Sequence, residues 1–159
     1  MKTDLTVAGY IFHNDHLLFI HHSKLDLWLP PGGHIDKDEI PDDAVKREIR
    51  EETGLKVRVL SALPLSISDK LIGVKRTTAI PFYTNVHSVG DHDHYGACYI
   101  CESDTDKVIR NDETKDHKWM ALDEVKTDIS LREDIKAIAL SAFNCYSQIK
   151  SRIESSTKI

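Results

Sequence analysis

The stretch LPPGGHIDKDEIPDDAVKREIREETGL, Leu29–Leu55, places three glutamates where a helix should avoid them. Pro30, Pro31, Gly32 and Gly33 cannot form regular helix, so the stretch opens as a loop. Pro41 then suits a first helical turn, Asp42 and Asp43 suit the positive end of a helix dipole, and Gly54 is a C-terminal stop. At about 100° per residue, Glu51 and Glu52 fall roughly 60° and 40° to either side of Glu48, which makes one acidic stripe. Val45 and Ile49 lie beside it and are expected to face the core, with Ala44 leaving the stripe open one turn earlier. Like charges at these spacings cost about 0.2–0.5 kcal/mol per pair. Glu51 and Glu52 also stand in the last turn, where the dipole disfavours negative charge. A hard divalent cation reverses the sign of both effects, because carboxylate oxygens are its preferred ligands. The plain alternative is a solvated helix face on which Arg47 and Arg50 offset the acids. The residues on either side decide between them.

Those residues match a pattern. Gly33, Glu39, Arg47, Glu48, Ile49, Glu51, Glu52, Gly54 and Leu55 fill every fixed position of G-x5-E-x7-R-E-U-x-E-E-x-G-U, where U is a bulky apolar residue. The segment resembles the Nudix hydrolase family, and the Trp28-Leu-Pro-Pro-Gly-Gly lead-in is similar to the same fold. The resemblance implies an α+β fold, an α/β/α sandwich around a mixed β-sheet. It implies a pyrophosphohydrolase acting on a nucleoside diphosphate linked to another group, with Mg2+ or Mn2+ as cofactor. It maps the metal ligands onto Glu48, Glu51, Glu52 and the backbone carbonyl of Gly32. Side-chain chemistry agrees with these assignments. Gly32 and Gly33 let the main chain pass close to an ion, and the Arg47 guanidinium can fork onto a carboxylate, with Glu51 and Glu39 as candidate partners.

The rest of the chain bounds this reading. Its 159 residues suit one domain, residues 1–159, and 40% hydrophobic with 30% charged residues is the composition of a globular protein. A formal net charge of −5 argues against stable nucleic-acid binding or attachment to an anionic membrane. No apolar run has the length of a membrane span, and the start lacks a signal peptide's form, so the expected compartment is cytoplasmic. The expected partner is a small nucleotide-type substrate, with the chain a monomer or homodimer. LTVAGYIFH and HLLFIHH, joined by Asn14-Asp15, predict a hairpin. LWLP, KVRVLSAL, RTTAIPFYTNV and HYGACYICES predict further extended pieces, and HKWMALDEV a strand entering a short helix. From about 131 to 156, Ile135, Ile138, Ala139, Ala142, Phe143, Tyr146 and Ile149 recur at helical spacing, which predicts a long amphipathic C-terminal helix.

Hydrolysis needs a base, and Glu52 is the favoured candidate, followed by Glu48; Asp91, Asp93, Glu102 and Glu113 are further acids on later segments. Arg47, Glu48 and Glu52 form the expected catalytic set. Sanitising hydrolases for oxidised nucleotides often carry an acid directly before the tryptophan equivalent to Trp119, where this chain has Lys118. Cys98 and Cys101 have the spacing of a metal knuckle, but on a strand residues three apart point to opposite faces. All three cysteines are therefore read as small apolar residues. His92 and His94 would share a strand face, yet no third or fourth ligand stands at a recognisable spacing, so the histidines are read as exposed or lining a substrate mouth. The competing functional reading is a non-catalytic nucleotide- or metabolite-sensing domain on the same fold; a sensor has no need to keep all three acids.

Overall fold

The computed structural model describes residues 2–65 and 73–158. The hairpin forms as predicted: β1 (Thr3–His13) turns through Asn14 and Asp15, both at positive φ, into β2 (His16–His22), with Phe12 opposite Leu17. β3 (Leu27–Leu29) pairs with the end of β2, and β4 (Gly32–His34) pairs with the start of β1. Helix α1 (Pro41–Thr53) follows, closed by Gly54 at φ 71, whose N–H donates to the Arg50 carbonyl. β5 (Val57–Leu60), β6 (Tyr83–Ser88), β7 (Asp93–Ser103) and β8 (Thr114–Met120) complete the strands. Two helices end the chain, α2 (Leu122–Thr127) and α3 (Glu133–Ser156).

Several predicted strands differ in extent from their sequence pattern, and KVRVLSAL yields only the four residues of β5. β6 begins only after Pro81, because that residue has no N–H for a ladder and the chain before it is held by other bonds. Ala79 N–H donates to Asp42, Ile80 N–H to the Ser61 hydroxyl, and Phe82 N–H to the Cys98 carbonyl. In the other direction, β6 and β7 absorb much of the His-rich stretch, with His87 paired to His94. Ser66 and Ile67, which follow the KVRVLSAL segment, lie outside the described residues.

The described strands make one eight-stranded mixed sheet. β1 and β7 run parallel from Thr3↔Asp93 to Phe12↔Glu102, and the other pairings are antiparallel. Alternation along β1 sends Val7 and Ile11 to one face, where they pack with Val45 and Ile49 of α1. Tyr10 and Phe12 point to the other face and pack with Ile135, Ala139, Ala142 and Tyr146 of α3. The result is the expected α/β/α arrangement in the α+β class. Cys98 packs in the α3-side core and Cys101 in the α1-side core, so the two sulfurs are separated by the sheet.

Candidate active site

The acids of α1 are not equivalent. Val45 and Ile49 are fully buried, and Glu52 lies at the edge of the same arc, so it too is buried, at 3% exposure. Glu48 is mostly covered, and Glu51, on the other flank, is largely exposed. Ala44 is fully buried against the sheet, so it does not leave the stripe open as its position suggested.

β4 brings the glycines to this helix. Gly32 N–H donates to Glu52 Oε2 at 2.9 Å. The contact seen is thus made by the Gly32 N–H, whereas the resemblance assigned a role to its carbonyl. A Cβ on Gly33 would stand 2.5 Å from the Glu48 carboxyl carbon, so only glycine lets that carboxylate lie over the strand.

Arg47 is the brace. Its Nε and Nη2 fork onto the two oxygens of Glu39, at 2.9 Å each. Nη1 donates to Glu48 Oε1 at 2.7 Å and Nη2 also to the His34 carbonyl at 2.9 Å. Glu51 approaches Nη1 only to 3.6 Å. Of the two expected partners, Glu39 is the one forked; the Glu48 bond, from an adjacent residue, was not foreseen. One guanidinium thereby ties the loop to the helix and fixes Glu48 in place.

The protonation equilibria follow this geometry. The fork holds Glu39 below its ordinary pKa. Burial raises Glu48, with Arg47 opposing. Burial pushes Glu52 up to about 8; the Gly32 N–H opposes, while the charges of Glu48, Glu113 and Glu51 add to the rise. A carboxylate is being held among other carboxylates with too little positive charge to satisfy it.

Two residues join this group, one from β2 and one from the turn before β8. Register pairs His22 with Thr114, and Ser23 N–H donates to the Glu113 carbonyl at 2.8 Å. Ligand atoms of His22, Glu52 and Glu113 all lie within 4.8 Å of one another. Glu113 was one of several later acids in the sequence reading; His22 carried no signal, because only strand register brings it here. Two of the other later acids are engaged elsewhere. Asp91 pairs with His92, and Glu102 accepts from Tyr146 and Arg58. A buried carboxylate of raised pKa, acids beside it and a glycine cradle against Glu48 form an oxygen-rich donor set that fits a hard divalent cation.

The aromatic residues divide. Trp28 stacks on His21, ring centroids 4.9 Å apart, with Lys118 Nζ 4.3 Å above it. Phe82 meets the edge of Tyr10, and Trp119 donates to the Asp106 carbonyl. Lys118, where an acid was weighed, is bound to Asp128 and Ser130.

Three of the histidines, none of them buried, gather with one acid. Asp4 from β1, His34 from β4, His92 from the turn before β7 and His94 from β7 bring one nitrogen or oxygen each within 4.8 Å of one another. Two of these side chains, Asp4 and His34, come from segments far away in sequence, which spacing along the chain does not reveal. His94 is depressed below the ordinary histidine value, first by burial and then by the imidazoles of His34, His87 and His92.

Comparison with known proteins agrees with this architecture. The NUDIX domain model matches residues 2–140. A MutT-like protein of Streptomyces ambofaciens is 37% identical over 75 residues, 46% of this chain and 43% of that protein. The m7GpppN-mRNA hydrolase NUDT17 of Danio rerio is 39% identical over 59 residues, 37% of this chain and 18% of that protein. The matched stretches thus span less than half the length of both relatives. Among solved structures, a hydrolase of the NUDIX family from Clostridium perfringens superposes with a TM-score of 0.80 at 28% identity, covering 91% of this chain and 98% of that one. Among the described residues, no helix is long and apolar enough to cross a membrane.

Proposed function

The chain belongs to the Nudix hydrolase family, and we propose that it cleaves a phosphoanhydride bond in a nucleoside diphosphate linked to another group, with Mg2+ or Mn2+ as cofactor. The observation that supports this most is the Glu52 carboxylate, 3% exposed, hydrogen-bonded by Gly32 N–H and pushed up to about 8 by burial and by the acids beside it. Glu48, Glu51, Glu52 and the Gly32 carbonyl are the groups that would hold the ion. When bound, it supplies the positive charge that neutralises phosphate oxygens and acidifies water.

The chain's own residues do the rest. Arg47 keeps the Glu48 carboxylate pointed over Gly33. The Gly32 N–H anchors Oε2 of Glu52, which leaves Oε1 to accept a proton. Glu52 is the proposed base and Glu48 the second choice. As a water oxygen bonds to phosphorus and the bridging P–O bond breaks, the proton passes to that carboxylate and the bridging electron pair leaves with the second phosphate. No covalent phosphoenzyme is invoked: Cys98 and Cys101 are buried, and burial pushes the Cys98 thiol up to about 12.

The test is a panel of dinucleoside diphosphates and nucleotide sugars with Mg2+, in oxygen-18 water, with enzyme in excess and products weighed by mass spectrometry. One phosphate-bearing product should carry the label in a single turnover, and chelator should abolish turnover. Unlabelled product would show that the protein supplied the nucleophile. Absence of hydrolysis across the panel would favour a ligand sensor.

A further inference from the structure

A second crowd of like groups stands on the opposite face of the sheet. Asp4 pairs with His94 in the parallel β1–β7 register, and His34 pairs with Thr6 in the antiparallel β1–β4 register. Asp4 and Thr6 alternate with Val7, which faces α1, and share the face of Tyr10 and Phe12, which meet α3. Gly33, opposite Val7, presents the other side to Glu48. The sheet therefore separates the histidine cluster from the acids of α1.

Two of the distances lie close to those of a small cation's shell, and the third is somewhat longer. His92 Nε2 is 3.1 Å from His94 Nε2 and 3.3 Å from Asp4 Oδ2, and His34 Nε2 is 4.0 Å from the same oxygen. Donors about 2.0–2.2 Å from a tetrahedral ion stand roughly 3.3–3.5 Å apart. Two imidazole Nε2 atoms facing each other at 3.1 Å both present lone pairs unless one carries a proton. His92 Nδ1 lies 2.6 Å from Asp91 Oδ1, the carboxylate–imidazole arrangement that fixes a ring with its other nitrogen free for a metal. Lys2 Nζ, 3.1 Å from Asp4 Oδ2, supplies positive charge there and is 74% exposed, so it can swing away. His87 is held by Asn85 with its ring 5.3 Å from that of His94, and closes the group on the β6 side.

We propose that Asp4, His34, His92 and His94 bind one Zn2+, which clamps β1, β4 and the β6–β7 turn together. Three imidazoles and one carboxylate select a borderline metal over Mg2+. Four protein donors fill a tetrahedron, so the role is structural. The ion also fixes the strand that carries Gly32 and Gly33, immediately before His34. The site stands whether or not the protein hydrolyses nucleotides.

The test uses the full chain, stripped with chelator and titrated with Co2+ and then Zn2+ in excess Mg2+. One equivalent of Co2+ should bind with the intense visible absorption of tetrahedral coordination, and Zn2+ should displace it. Zn2+ should raise the thermal midpoint of the wild type. Both responses should vanish in His92→Asn and in His94→Asn, and persist in Glu52→Gln. A weak octahedral-type cobalt spectrum in the wild type overturns the proposal, and that reading needs no variant to fold. So does an unchanged spectrum in both histidine variants, which would place the ion on other histidines. Loss of the spectrum in Glu52→Gln alone would assign it to His22, Glu52 and Glu113 and would equally overturn it.

Discussion

Glu48, Glu51 and Glu52 stand within five residues of one helix, whereas Asp4, His34, His92 and His94 come from β1, β4, the turn before β7 and β7 itself, on the other face of the sheet. Each group gathers side chains that repel one another or compete for protons. The helix fixes its geometry through local spacing, and a helix is the same everywhere, so its acids can be aligned from sequence. The histidine group depends on which strand lies beside which and in what register. The difference is between chemistry written along the chain and chemistry written across it.

The largest effect should come from the acid that burial sets apart. Glu52→Gln should lower turnover about 10²–10⁴-fold, as expected for loss of a base, while the Gln oxygen still accepts from Gly32 N–H. The same change should stabilise the metal-free protein at alkaline pH. The unfolded chain releases this proton near the ordinary value of about 4.3, whereas the folded protein keeps it until about 8. Between those values the folded state binds more protons, so metal-free stability falls as pH rises, by on the order of a few kcal/mol in total. Glu52→Gln should flatten that slope. Thermal unfolding of both chains at pH 5.5 and pH 8 checks it, and a variant less stable than wild type at pH 8 would make Glu52 a structural residue.

Next in size is Arg47→Lys, which keeps the charge and loses the planar fork on Glu39 as well as the simultaneous bonds to Glu48 and the His34 carbonyl. Activity should fall about 10–100-fold, with more Mg2+ needed for half-maximal rate. Wild-type kinetics in this variant would show that charge alone suffices and that the brace is incidental.

How much of this was legible in the sequence follows the same division. The hairpin through Asn14-Asp15, helix α1 with its Gly54 stop, and helix α3 were readable because turns and helices are local. Glu39 was readable as one of two candidate partners of Arg47, with Glu51 the other, and the structure forks Glu39. What failed needed long-range information. Ala44 was misplaced because a helical wheel does not say how wide the buried arc is. His22 beside Glu52 depends on the β2–β8 register, and His34 beside His94 on two ladders at once. The extended stretch before Pro81 read as strand by composition, but the N–H groups of Ala79 and Ile80 go to the Asp42 and Ser61 side chains instead of a continuous ladder.

A milder probe of the helix side is Gly33→Ala. The added methyl would overlap the Glu48 carboxyl group, which is the far end of a flexible side chain and can rotate aside. The fold should survive with a thermal midpoint close to wild type, and activity should drop about tenfold as Glu48 leaves its place over the strand. A large loss of stability with no loss of activity would mean that the strand moves and Glu48 stays.

The smallest effect should appear on the other face, at Asp91. Its carboxylate is 91% exposed and lies 2.6 Å from the outer nitrogen of His92. Asp91→Asn keeps a group able to hydrogen-bond that nitrogen but removes the charge that makes the imidazole a stronger donor to an ion. Solvent screens an exposed carboxylate, so the change should sit at the low end of what such partners contribute, weakening zinc binding about tenfold or less. Nucleotide hydrolysis with Mg2+ should be unchanged, because Asp91 is not among the groups gathered around Glu52. Competition titration of Zn2+ against a chromogenic chelator, alongside steady-state hydrolysis, reads both quantities on one preparation. If hydrolysis falls with zinc affinity intact, Asp91 acts on the substrate after all, and the separation of the two faces by the sheet breaks down.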